Sequence, residues 1–176
     1  DIVFLNNRMS RIEVLIRKAF EDAGDLNGLP ALKDAFDSAG FLLDQKTTHL
    51  EVLDLNGDQR PDILTAGALR GLRIYTQTPD GRFELATAPA FKKADQIIYV
   101  GTADFDNDGG QDILVCRRQN AVLLANDGRG RFRRRLSLAF TAPECEGAML
   151  GDFNGDGRVD ILLRFPEEQL PLRLFL

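Results

Sequence analysis

The sequence predicts an all-β fold made of repeated propeller blades. An acidic nine-residue loop recurs three times at nearly constant spacing. A β-rich apolar run follows each copy, and turn signals divide the rest of each repeat into short strands. Together they give about four strands in about 50 residues, the arithmetic of a propeller blade.

The three loops align without gaps. They are Asp54-Leu-Asn-Gly-Asp-Gln-Arg-Pro-Asp62, Asp104-Phe-Asp-Asn-Asp-Gly-Gly-Gln-Asp112 and Asp152-Phe-Asn-Gly-Asp-Gly-Arg-Val-Asp160, starting 50 and 48 residues apart. Each carries Asp at positions one, five and nine, and Asp or Asn at position three. The apolar runs Ile63-Leu64, Ile113-Leu114-Val115 and Ile161-Leu162-Leu163 follow. Asp1-Ile2-Val3-Phe4-Leu5 reads as the same junction without its loop, with Asp1 in the place of a ninth position 61 residues before Asp62.

Strands are expected before the loops at His49–Leu53, Ile97–Thr102 and Gly147–Leu150. Further strands are expected at Leu72–Tyr75 and Ala121–Leu124, at matching distances beyond the loops. Asp-Gly turn signals at Pro79–Phe83 and Asn126–Phe132 then call for hairpins. For Arg11–Ile16 the repeat register indicates a strand. Ser10 and Glu13 also fit a helix capping box, so the local pattern indicates a helix; strand is the favoured reading. Leu32, Ala35, Phe36 and Ala39 have helical spacing before Gly40, so a short helix is expected within 29–39. One propeller segment thus covers 1–176: a partial blade at 1–17, an insertion at 18–45, and repeats starting near 46, 94 and 143.

The 176 residues suffice for one domain with a sizeable core. No apolar run is long enough for a membrane-spanning helix, so direct membrane insertion is not expected. The formal net charge of −5 disfavours a nucleic-acid function. Seven arginines (Arg117, Arg118, Arg129, Arg131, Arg133, Arg134 and Arg135) cluster locally. They read as a solvated hairpin, with contact to a polyanion as the alternative. Cys116 and Cys145 form either one disulfide or two buried thiols. His49 reads as a packing or surface residue, and Phe105 and Phe153 as core anchors beside their loops. No phosphate-binding loop, nucleophile elbow or His-containing zinc motif occurs, so no enzyme activity is expected. The chain starts at Asp1 without a visible signal peptide, and is expected to be processed or to be a portion of a longer protein.

The loops, recurring in register with a strand after each, resemble the FG-GAP (VCBS-type) repeats of integrin α-subunit propellers and many secreted bacterial proteins. Ala35-Phe-Asp-Ser-Ala-Gly-Phe41 is also similar to a segment in relatives of cartilage acidic protein. The resemblance implies a seven-bladed propeller that binds calcium in its inter-strand loops. It implies side-chain ligands at positions one, three, five and nine, and a carbonyl ligand at position seven. Here those are Asp54, Asn56, Asp58 and Asp62 with the Arg60 carbonyl; Asp104, Asp106, Asp108 and Asp112 with Gly110; and Asp152, Asn154, Asp156 and Asp160 with Arg158.

Calcium takes six to eight hard oxygen ligands, which alternate carboxylates in a tight loop can supply. An EF-hand would need Glu at position twelve; Thr65, Val115 and Leu163 stand there instead. The second loop has four Asp and is expected to bind most tightly. The first has Gln59 where the third has Gly157, and is expected to be the weakest, because a non-Gly residue takes positive φ only at a cost. Asp, Asn and Gly also build turns without any metal, but unneutralised carboxylates crowded in one loop repel.

The function expected is non-catalytic recognition of a protein or glycan by a calcium-stabilised propeller, in an extracellular, secreted or periplasmic setting. An accessory or structural subunit of a larger assembly is one alternative. A lectin propeller, or a propeller appended to a hydrolase, is the other. The chain is expected to form part of a larger propeller or assembly.

Overall fold

A computed structural model describes residues 2–6, 11–17, 36–42, 47–67, 71–86, 97–140, 144–166 and 169–176. Among these residues there is no helix, and fourteen strands form four antiparallel sheets. The chain divides into two compact units, Asp1–Thr47 and Thr48–Leu176.

The first unit is a meander of β1 (Ile2–Asn6), β2 (Arg11–Arg17) and β3 (Phe36–Leu42). β2 settles the ambiguity at Arg11–Ile16 in favour of a strand, paired from Ile2↔Leu15 to Asn6↔Arg11. The expected helix within 29–39 is corrected over its last four residues. Phe36–Ala39 belong to β3, and Arg17↔Phe36 through Arg11↔Leu42 bind β3 to β2. An apolar spacing over so few residues fits either element, and ladder pairing outweighs it here. Residues 29–35 of that expectation lie outside the described residues. The stretch 18–45 set apart as an insertion therefore contributes a third strand to the first sheet.

The second unit carries three sheets. β4 (Thr47–Leu53), β5 (Asp62–Gly67), β6 (Gly71–Gln77) and β7 (Phe83–Leu85) form the second sheet. The third contains β8 (Ile97–Ala103), β9 (Asp112–Arg117), β10 (Asn120–Asn126) and β11 (Phe132–Ala139). The fourth has β12 (Gly147–Gly151), β13 (Asp160–Arg164) and β14 (Leu172–Phe175). Strands run in chain order within each sheet, the up-and-down arrangement of propeller blades. Each acidic loop joins the first strand of its sheet to the second.

The sheets pack through repeat-equivalent residues. Side chains alternate along a strand, so neighbouring positions after each loop face opposite ways. Leu64 of the second sheet and Ile113 of the third share one buried cluster. Leu114 of the third and Ile161 of the fourth share another. The residue directly after the second and third loops thus packs backwards, and the one after it in the first and second repeats packs forwards. Position two of each loop follows the same logic: Leu55 is buried in the first cluster and Phe105 packs against the second. Phe153 is corrected: it is 43% exposed rather than a core anchor. Its position meets the following sheet in the two earlier repeats, and no following sheet is present among the described residues.

Cys116 and Cys145 are both buried as free thiols in the second cluster. Burial, and then the nearby Cys145, push the Cys116 thiol up to about 12. His49 behaves as a packing residue, its ring meeting Tyr99 edge-on at 6.5 Å. Burial holds its pKa below the usual histidine value, against the charge of Glu51.

Candidate metal centre

The three loops share one hydrogen-bond frame. The position-one carboxylate turns back and accepts the backbone N–H groups of positions five and six. Asp54 accepts from Asp58 at 3.2 Å and Gln59 at 2.7 Å. Asp104 accepts from Asp108 at 3.1 Å and Gly109 at 2.9 Å. Asp152 accepts from Asp156 at 3.2 Å and Gly157 at 2.9 Å. The position-five carboxylates then accept the position-seven N–H, from Arg60 at 2.9 Å and from Gly110 and Arg158 at 2.8 Å. Short Asp side chains can bond to the backbone a few residues on, which is why they set this curl.

The curl forces positions four and six into the left-handed region. Gly57, Asn107 and Gly155 at position four have φ of 75°, 57° and 79°. Gln59, Gly109 and Gly157 at position six have 65°, 87° and 81°. Gln59 thus adopts the strained conformation expected of it. The demand at position four was missed in the sequence, although Gly and Asn there were its signal.

Position nine does different work. Asp62, Asp112 and Asp160 are buried, each starting the second strand of its sheet. Each Oδ2 accepts the position-two N–H, from Leu55 at 3.0 Å, Phe105 at 3.1 Å and Phe153 at 2.9 Å. Oδ1 accepts from Gln77 at 3.0 Å in the first repeat and from Asn126 at 2.8 Å in the second. Asp160 Oδ1 is buried without a hydrogen-bond partner. Burial raises the carboxyl pKa of Asp62 and Asp112, and the two N–H donors to each pull the other way. At Asp54 burial also opposes ionisation, but four backbone donors together hold the carboxyl below the usual range. Asp152 is lowered chiefly by the Gly157 amide, with Gly155 and Asp156 adding to it against desolvation.

The second loop gathers Asp104, Asp106 and Asp108, with one ligand atom of each lying within 4.8 Å of the others. Oxygens on opposite sides of a calcium ion stand about 4.6–5.2 Å apart, twice the usual bond length. The donor set therefore fits a divalent cation in both chemistry and spacing. Asp112 is not part of this group, and neither Asp62 nor Asp160 is gathered with its loop's other acids. The position-seven residues Arg60, Gly110 and Arg158 are located by their N–H bonds to position five. In the first loop Asn56 takes the place of Asp106, and the Arg60 guanidinium binds Asp58 at 2.5 Å. In the third, Asn154 bonds Asp156 at 3.2 Å. In the second, Arg135 of β11 forms an ion pair with Asp106. The arginine cluster is thereby partly engaged: Arg118 also pairs with Glu144 at 2.6 Å. Arg135 as a partner of the triad was not legible in the sequence, since it lies 29 residues from Asp106.

Successive antiparallel sheets, three of them with an acidic loop of left-handed residues between the first strand and the second, define a class of blade-repeat proteins. The FG-GAP-like repeat family model matches residues 54–115 and 104–163. The chain belongs to the FG-GAP-like repeat family. Comparison with curated proteins returns no match.

Proposed function

We propose that the chain is a non-catalytic, calcium-binding propeller module that recognises a protein or glycan outside the cytosol. The observation that carries the cation is the Asp104–Asp106–Asp108 triad. Three carboxylates this close repel unless a cation or a proton joins them, and Arg135 meets only Asp106 among them. Asp104, Asp106 and Asp108 would hold the ion, which would neutralise their charge and stiffen the loop between β8 and β9. The first loop, with Asn56 and an arginine-bound Asp58, is the weaker site. Calcium at extracellular levels fills modest sites that cytosolic levels leave empty, which favours an extracellular, secreted or periplasmic setting.

A place in a larger propeller or assembly draws support from the fourth sheet. Its forward face presents Met149, 57% exposed, with Leu162 and Leu174 beside it in register, and Leu172, 56% exposed. The equivalent Leu64 and Leu114 faces are each covered by the next sheet. A further sheet of the same repeat type is the occupant this face fits, in keeping with a larger propeller or assembly.

The test is thermal unfolding with calcium and with a chelator, for the wild type and for Asp106→Ala/Asp108→Ala. Calcium should raise the wild-type Tm by mass action and raise the variant's distinctly less. Equal curves with and without calcium, and no calcium by elemental analysis, would overturn the cation reading.

A further inference from the structure

The Asn126 side chain lies between the first two acidic loops. It is 3% exposed and opens the turn that joins β10 to β11. Its Nδ2 donates to the Leu55 carbonyl of the first loop at 2.8 Å and to the Gln111 carbonyl of the second at 3.1 Å. Its Oδ1 accepts the Gly130 N–H at 3.1 Å, and its own backbone N–H donates to Asp112 at 2.8 Å. Leu55 in turn donates its N–H to Asp62, which closes the first loop.

The same turn is wedged against the first loop. A Cβ at Gly57 would stand 2.7 Å from the Gly128 carbonyl oxygen, and one at Gly130 would stand 3.3 Å from the Asn56 Cβ. A cleft of about 90 Å³ between the loops is lined in part by Asp54, Gly57, Gly109, Gly110, Asn126 and Gly128. A buried polar side chain with both amide ends satisfied fixes its neighbours' relative positions, because releasing either loop strands a carbonyl without its donor.

We propose that Asn126 couples the first two acidic loops, so that a cation held by Asp104, Asp106 and Asp108 strengthens cation binding at the Asp54 loop. This rests on the cation reading above. A cation in the second loop holds the Gly109–Asp112 segment. Gln111 and Asp112 then hold Asn126, and Asn126 holds Leu55 between Asp54 and its bond to Asp62. The first loop, strained at Gln59 and short of one carboxylate, gains most from being held in place beforehand. Asn126 is a positioning residue in this scheme and ligates nothing. Loops fill in order, the second before the first.

The test is a calcium titration followed by the backbone amide resonances of Gly57, Gly109 and Gly155, one for each loop. Four proteins complete a cycle: wild type, Asp106→Asn/Asp108→Asn, Asn126→Ser, and the combination. Removing the triad should weaken the Gly57 midpoint by about fivefold or more while Asn126 is present, the low end of ordinary coupling between sites. In the Asn126→Ser background the same removal should change it by less than about twofold. The Gly155 midpoint should stay unchanged throughout. A Gly57 midpoint indifferent to the triad, or a dependence that survives Asn126→Ser in full, overturns the coupling while leaving calcium binding standing. No movement of any of the three amides in the wild type overturns the cation reading itself. If Asn126→Ser does not fold, Gly130→Ala takes its place in the cycle, because it presses the turn away from Asn56.

Discussion

In the first acidic loop Asp58 is held by Arg60, position three is Asn56, and Gln59 carries a φ of 65°. In the second, Gly109 takes that strained place at 87° and three aspartates converge, with Arg135 reaching in from β11. Both loops nevertheless trace the same curl with the same bonds at positions one, five and nine. The shape of the loop and its capacity for a cation are therefore separable. Backbone bonds to Asp54 and Asp62, or to Asp104 and Asp112, build the curl. The side chains at positions three and five, beside the position-one carboxylate, decide whether three acids gather there.

The largest test of that division is Asp112→Ala beside Asp106→Ala, both in chelator. Asp112 is fully buried and accepts from Phe105 and Asn126. Its loss leaves two amides unpaired, at about 1–3 kcal/mol each. Urea unfolding should therefore show a loss of about 2–6 kcal/mol. Asp106 is exposed and engages Arg135 at the surface, so its loss should stay within about 1 kcal/mol. If the two variants cost the same, positions three and nine are not divided in this way.

A smaller effect separates the loops at position six. Gln59→Gly relieves a side chain held at φ 65° and should stabilise the chain by about 1 kcal/mol, set against the extra freedom Gly brings to the unfolded state. The reverse change, Gly109→Gln, should cost about 1–2 kcal/mol. Urea midpoints in chelator measure both. A destabilising Gln59→Gly would mean that the Gln side chain makes a contact worth more than the strain.

The sheets were legible because their signals are local and repeated. The Ile at each loop's tenth position, the Asp-Gly turns and the 48–50-residue interval together point to the strands from β4 to β13, while β14 follows no Asp-Gly turn and is not singled out by them. Phe36–Ala39 misled because Phe36 and Ala39 sit at helical spacing with Leu32 and Ala35, while the partner that makes them a strand lies some twenty residues earlier in β2. The site divides in the same way. Alternating acids announce the triad, and Gln59 announces the strained φ of the first loop. Arg135 and Asn126 are invisible because both act across distance: Asn126 meets Leu55 from 71 residues away. An Asn beside Asp-Gly reads as nothing more than a turn until the neighbouring repeat is laid against it.

The finest test lies within the first loop, where two carboxyls move in opposite directions. Asp54 is held below the usual carboxylate range by its backbone donors, although burial opposes them. Its native form thus binds a proton less readily than the unfolded chain does. The stability it contributes is complete above about pH 4, the ordinary carboxylate value, and is lost as pH falls through the lower native value. Asp62 is raised by burial. Its native form takes a proton more readily, so acidification first relieves a buried charge, before Asp54 begins to titrate. In chelator, stability should hold or rise slightly between neutral pH and about pH 5, then fall below about pH 4. Asp54→Asn removes only its own share of the second limb, since Asp152 is also held low, and Asp54 is partly open to solvent, so the difference should be under about 1 kcal/mol. Urea midpoints at several pH values would read it. A wild type and an Asp54→Asn variant that lose stability in parallel below about pH 4 would mean that the curl is held by something other than the charge on position one. The separation between a loop's frame and its cation-holding side chains would then fail at its first residue.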